Sequence, residues 1–101
     1  MVTVIATVIC QPGHRDEFLR EFHAIVPQVR EEKGCVEYGP TVDITTDIPA
    51  QDTDENRVTI CEKWESVDAL KAHLVAPHMQ SYRPKIKDLV ASVELRVLEA
   101  A

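Results

Sequence analysis

The hydrophobic period of this chain switches repeatedly between strand-like and helix-like spacing, and the order of the switches leaves few folds open. Val2 to Cys10 is rich in Val, Ile and Thr and reads as a first β-strand. Val2, Val4, Ala6 and Val8 fall on one face and Thr3, Ile5, Thr7 and Ile9 on the other, so both faces are fairly apolar. After the turn Gln11-Pro12-Gly13, the spacing from His14 to about Lys33 becomes helical, with Phe18, Phe22, Ile25, Val26 and Val29 as one stripe. Pro27 removes a backbone donor and should kink or divide this helix, and Gly34 should end it.

Alternation returns from Cys35 to Ile44, where Pro40 cannot donate to a ladder and places the strand at an edge or at a bulge. Thr45 to Asn56 carries Asp47, Asp52, Asp54 and Glu55 and reads as a solvated loop. Arg57 to Glu65 forms a third strand, with Val58, Ile60, Glu62 and Trp64 on one face. Ser66 is a natural N-cap, Asp68 suits the first helical turn, and Val67, Leu70 and Leu74 supply the buried stripe of a second helix. Ala76-Pro77 interrupts it; the piece from about His78 to Leu89 contains Pro84 and is expected to be irregular. A last strand, Ala91 to Leu98, sets Val93, Leu95 and Val97 against Glu94 and Arg96.

Strand-helix, strand-strand-helix, strand is the split βαβ order of an α+β, ferredoxin-like fold: a four-stranded antiparallel sheet with the helices on one face. The other sheet face is then bare, and its apolar content implies a second copy packed against it about a twofold axis. The 101 residues amount to one domain, spanning 1–101.

Composition excludes several partners. Lys and Arg number 11 against 17 Asp and Glu, a net charge of −6, and no basic stripe offsets it, so nucleic acid is not expected. No apolar run approaches the roughly 20 residues needed to span a bilayer, and Met1 to Cys10 lacks the basic start and cleavage site of an export signal. Cys10, Cys35 and Cys61 match no zinc spacing and read as reduced thiols, which points to the cytoplasm. His14, His23, His73 and His78 lack the local pairing of a metal motif, and no glycine-rich phosphate loop is present.

More specific residues emerge in order. Lys33-Gly34-Cys35-Val36-Glu37-Tyr38 follows a helix interrupted at Val26-Pro27; Glu62-Lys63-Trp64-Glu65-Ser66, Ala69-Leu70, His73 and Pro77-His78 come later. The Gly-Cys-x-x-Tyr turn and strand, then Glu-x-Trp-x-Ser and a helix bearing His, resemble the antibiotic biosynthesis monooxygenases, in particular their small quinol-monooxygenase-like members. The resemblance spans roughly Val2 to Leu98. It implies a dimeric α/β barrel, and oxidation of quinols or anthrones by O2 with neither metal nor flavin. Haem-degrading relatives use an Asn of the first strand; Met1 to Gln11 holds none, so haem oxygenation is not expected.

Oxidising an electron-rich aromatic with O2 calls for a base and a water-poor pocket. His73, with His78 as alternate, has the intrinsic pKa for the base. Set against that, a histidine at this point of a helix equally serves as a hydrogen-bonded link between helix and sheet. Glu62 lies between Ile60 and Trp64 on an apolar face, where a lone carboxylate is costly. It either orients a histidine, acts as a base with a raised pKa, or pairs with Arg83 or Arg96 across a dimer. Trp64 and Tyr38 form either an aromatic wall for a planar substrate or ordinary core, and Tyr82 and Arg83 are candidate substrate contacts at the pocket mouth. The competing functions are isomerisation of a small carbonyl metabolite by proton shuttling and a non-catalytic dimeric ligand-binding module.

Overall fold

Val4, Ala6, Val8 and Cys10 of the first strand are buried while the residues between them are half-buried, and the remaining elements are arranged around that asymmetry. The computed structural model describes all of residues 1–101. In chain order the elements are β1 (Val2–Cys10), α1 (Arg15–Arg30), β2 (Cys35–Thr41), β3 (Arg57–Trp64), α2 (Val67–Leu74), α3 (Pro77–Ile86), a 3-10 turn (Lys87–Leu89) and β4 (Val90–Leu98). The sheet runs β2-β3-β1-β4, antiparallel throughout, with β2 and β4 as its edges. This is the ferredoxin-like α+β arrangement that the order of periods implies.

The five apolar residues read as the α1 stripe, Phe18, Phe22, Ile25, Val26 and Val29, are the ones α1 buries. They pack on Val4, Ala6, Val8, Tyr38, Val58 and Ile60 of the sheet in one core. Pro27 neither divides α1 nor ends it; its missing amide costs the helix one donor, to the carbonyl of the exposed His23 one turn earlier. The helix stops at Arg30, before Gly34; the glycine instead turns the chain into β2 at φ +85.

Other expectations need correction. β2 ends at Thr41, and its irregularity falls between Cys35 and Glu37, whereas Pro40 stays in register opposite Ile60, tolerated because β2 is an edge. The acidic loop is solvated as read, and Arg57 of β3 also ties it down, donating to Asp43 at 2.8 Å and to Asp52 at 3.1 Å. In α2 the Ser66 side chain accepts from the Ala69 amide at 3.1 Å as the cap it was read to be. The buried seam, however, is Leu70 and His73, while Val67 and Leu74 are exposed. α3 is a regular helix, since Pro77 occupies its first turn, where no amide is missed, and Pro84 falls near its end.

The bare sheet face is not the apolar surface expected. Pairing places Thr3, Ile5, Thr7 and Ile9 beside Lys63, Cys61, Thr59 and Arg57 on one side and beside Leu98, Arg96, Glu94 and Ser92 on the other, a mixed surface. The exposed apolar row lies on the helix side instead. Val93, Leu95 and Val97 of β4 are in register with Val8, Ala6 and Val4, yet are 60%, 48% and 46% exposed. α1 packs over β2 and α2 over β3, and α3 borders the β4 edge without covering this row.

Candidate functional site

Strand parity carries Glu62 inward. It pairs with Val4 on one side and Tyr38 on the other, so all three point to the helix side of the sheet. There a cavity of about 330 Å³ lies between the sheet and all three helices. Most of its wall is hydrophobic, from Ala6 and Val8 of β1, Phe22 of α1, Ile60 of β3 and Met79 and Ile86 of α3. Glu62, His73, Tyr38, Tyr82 and Arg83 line it too, so five of the seven sequence-predicted site residues meet in one place.

Trp64 and His78 lie outside that wall. Trp64 is fully buried behind the cavity, and its indole Nε1–H donates to Glu62 Oε1 at 2.9 Å. It supports the site rather than forming a wall for a planar substrate, and leaves the cavity open. His78 stands beyond Glu32, at whose carboxylate it meets His73. Arg83 donates to the Leu74 carbonyl, which orients it along the cavity rim. Within the chain Glu62 accepts from Trp64, and Arg96 is in register with Ile5 and belongs to the opposite face.

Glu32 is the residue that sequence reasoning missed. Its Oε2 lies 2.8 Å from His73 Nδ1 and 2.8 Å from His78 Nε2. A carboxylate can only accept, so both facing nitrogens carry protons. Neutral His73 is therefore the Nδ1–H tautomer with a free lone pair on Nε2. No fully buried side-chain nitrogen or oxygen lacks a partner, so Nε2, which bonds to nothing in the chain, is not sealed off, and His73 is among the residues that line the cavity. One signal in the sequence pointed to Glu32. Glu31-Glu32 directly follows the C-terminus of α1, where the helix dipole disfavours acids, so an acidic pair there needs another reason.

Electrostatics follow from the enclosure. His73 is 2% exposed, and burial lowers its pKa against the opposing pull of Glu32, favouring the neutral ring. The ring packs on Trp64 with centroids 4.7 Å apart and meets Tyr38 edge-on at 5.3 Å, which fixes its plane. Burial raises the Glu62 carboxyl, the Trp64 hydrogen bond opposes this, and the Glu32 charge adds to the rise. Burial likewise pushes the phenols of Tyr38 and Tyr82 far up, so both remain neutral donors.

The raised Glu62 has a measurable consequence. Folded Glu62 holds its proton more tightly than the unfolded chain does, so stability declines as pH rises from about 4.5 through the folded pKa, then levels off. In Glu62→Gln the amide oxygen still accepts from Trp64, and the charge-burial cost disappears. We expect the variant to melt a few degrees higher than wild type at pH 7.5 and at the same temperature near pH 4. A variant less stable at pH 7.5 would show that the charged form is wanted in place.

An α+β sandwich that holds a buried, hydrogen-bonded imidazole against an apolar cavity defines a small protein of ferredoxin-like fold. The particular family is shown by sequence: the chain belongs to the antibiotic biosynthesis monooxygenases, whose family description matches residues 1–85. It is 39% identical over 101 residues to the "Probable quinol monooxygenase YgiN" of Escherichia coli (strain K12), covering 98% of this chain and 97% of that protein. A crystal structure from Pseudomonas aeruginosa superposes with a TM-score of 0.83 at 27% identity over 99% of this chain and 93% of that one. Another, from Mycobacterium tuberculosis, gives 0.82 at 26% identity over 99% and 94%.

Proposed function

We propose that this chain is a cofactor-independent monooxygenase that oxidises a small aromatic quinol or anthrone with O2. The observation that carries the reading is the His73 ring, which lines an apolar cavity while its Nδ1–H is held by Glu32, leaving Nε2 unprotonated. The name of the Escherichia coli relative supports the quinol class. His73 removes a proton from the bound phenol or activated methylene. The resulting anion, poorly solvated in the cavity, gives one electron to O2. Recombination of the radical pair forms a carbon–peroxide bond. Loss of water then keeps one oxygen atom in the product and releases the other. Glu32 is a positioning residue, and His78 holds its outer side. Tyr38 and Tyr82 supply neutral hydroxyls, and Arg83 supplies a cation at the rim.

The direct test is oxygen uptake by metal-free, flavin-free protein across a panel of naphthohydroquinones and anthrones. Uptake well above the uncatalysed rate is expected for at least one of them. A panel-wide rate equal to the blank refutes the reading. An isomerase acting through the same imidazole would turn over its substrate equally under argon.

The proposal includes a homodimer. Val93 both lines the cavity and belongs to the exposed apolar row of β4, so a second copy covering that row would also close the cavity to water. Light scattering at micromolar concentration is expected to give twice the chain mass. Leu95→Asp, which puts a charge into the row, should shift the population toward monomer. A monomeric wild type would contradict the assembly.

A further inference from the structure

Two histidines and a glutamate that share no local spacing converge at one point. His73 Nδ1, His78 Nε2 and a Glu32 carboxylate oxygen all lie within 4.8 Å of one another. The geometry points to a divalent transition-metal site of the zinc type at Glu32, His73 and His78, whose occupation switches off His73 as a base.

Three arguments meet here. Imidazole and carboxylate together suit zinc and its neighbours, and three protein ligands leave a position for water. Distances are compatible, because atoms 2.8 Å apart can both lie about 2.1 Å from one ion, and only a small approach of the two rings completes the set. Access exists from the surface, since the side chains of His78 and Glu32 are 18% and 14% exposed whereas that of His73 is 3% exposed. The ion would bridge the half-exposed rim and the wall of the cavity.

The consequence comes from the tautomer. Metal-free, the His73 proton sits on Nδ1 and Nε2 is a lone pair. A metal on Nδ1 takes that position, and the single proton of the neutral ring moves to Nε2. The cavity then faces an N–H donor where it had an acceptor, so proton abstraction stops. Binding of the ion is independent of the proposed oxidation; only its inhibitory effect rests on that reading.

Calorimetric titration of the purified, chelator-treated protein with Zn2+ tests the site. One ion per chain is expected, with affinity reduced at least tenfold in His78→Ala and in Glu32→Gln. Circular dichroism melts confirm that each variant is folded. Cobalt(II) in place of zinc should give ligand-field bands without a thiolate charge-transfer band, because no cysteine is in the set. Nitrogen-15 spectra should place the ion on Nδ1 of His73. Binding that survives both substitutions, a thiolate band, or no binding at all would overturn the site. With an oxidisable substrate, Zn2+ should slow wild-type oxygen uptake tenfold or more, EDTA should restore it, and the fold-inhibition should shrink in His78→Ala. If calorimetry shows the site but no substrate is oxidised, the metal site stands and the oxygenase reading falls. Metal bound with undiminished turnover would overturn the switch.

Discussion

His73→Ala is expected to lower the oxygen-consumption rate by about a hundredfold to ten-thousandfold near neutral pH, the range in which a positioned general base contributes. Truncation removes the Nε2 lone pair but leaves Glu62, Tyr38 and Tyr82 in the wall and His78 on Glu32. The loss should depend on pH in a diagnostic way. As solution pH rises toward the substrate's own ionisation, the anion forms without help, and variant and wild type converge. Glu62→Gln is the companion measurement. If His73 is the base, that variant keeps its rate within about tenfold, less than the smallest contribution expected of a general base. Full activity in His73→Ala with collapse in Glu62→Gln would move the role to the carboxylate. Full activity in both would remove the cavity from the chemistry. The melt of His73→Ala belongs with the kinetics, because the ring also packs on Trp64.

The largest expected loss of stability comes from a residue that touches no substrate. Gly34 adopts φ +85, and a Cβ added there would meet the Ala69 Cβ at 2.6 Å. An L-residue in that conformation costs about 1–2 kcal/mol by itself. The colliding atom is fixed directly to the backbone of α2, so a rotamer change gives no relief and the helix must shift. Gly34→Ala is therefore expected to cost about 2–4 kcal/mol, an effect large for one methyl group. At about 4–8 °C per kcal/mol in a domain of this size, the melting midpoint falls by roughly 10 °C or more. Since α2 carries His73, turnover should fall as well. Gly13→Ala is the matched control: φ is +81, but nothing lies within 4 Å of the added Cβ, so only the backbone strain remains. Equal losses in the two variants would show that the contact with Ala69 is unimportant.

The same two glycines show how far the sequence can be read. Gly34 was recognisable as a stop and as part of a Gly-Cys-x-x-Tyr pattern, but its actual constraint is a neighbour 35 positions away, which no local spacing encodes. His73 was legible as a candidate because it sits in a helix following Glu-x-Trp-x-Ser. Its rank as a base depends on Glu32, 41 residues earlier. Leu74 illustrates the opposite error: as a large apolar residue four positions after Leu70 it fits a stripe, yet α2 rotates to bury His73 instead.

What the sequence determined by itself was everything with a local cause. Side-chain alternation and helical spacing set the element order and the buried face of α1, Ser66 set the start of α2, Pro40 marked an edge strand, and the ordered motifs indicated the family. Tertiary structure alone decided which apolar face is left uncovered, that Trp64 donates to Glu62 within the chain, and that Glu32 joins His73 to His78. The physical reason is that local period specifies which side of an element avoids water. It does not specify which neighbour comes to cover that side, and hydrogen bonds among distant residues exist only after the chain has closed on itself.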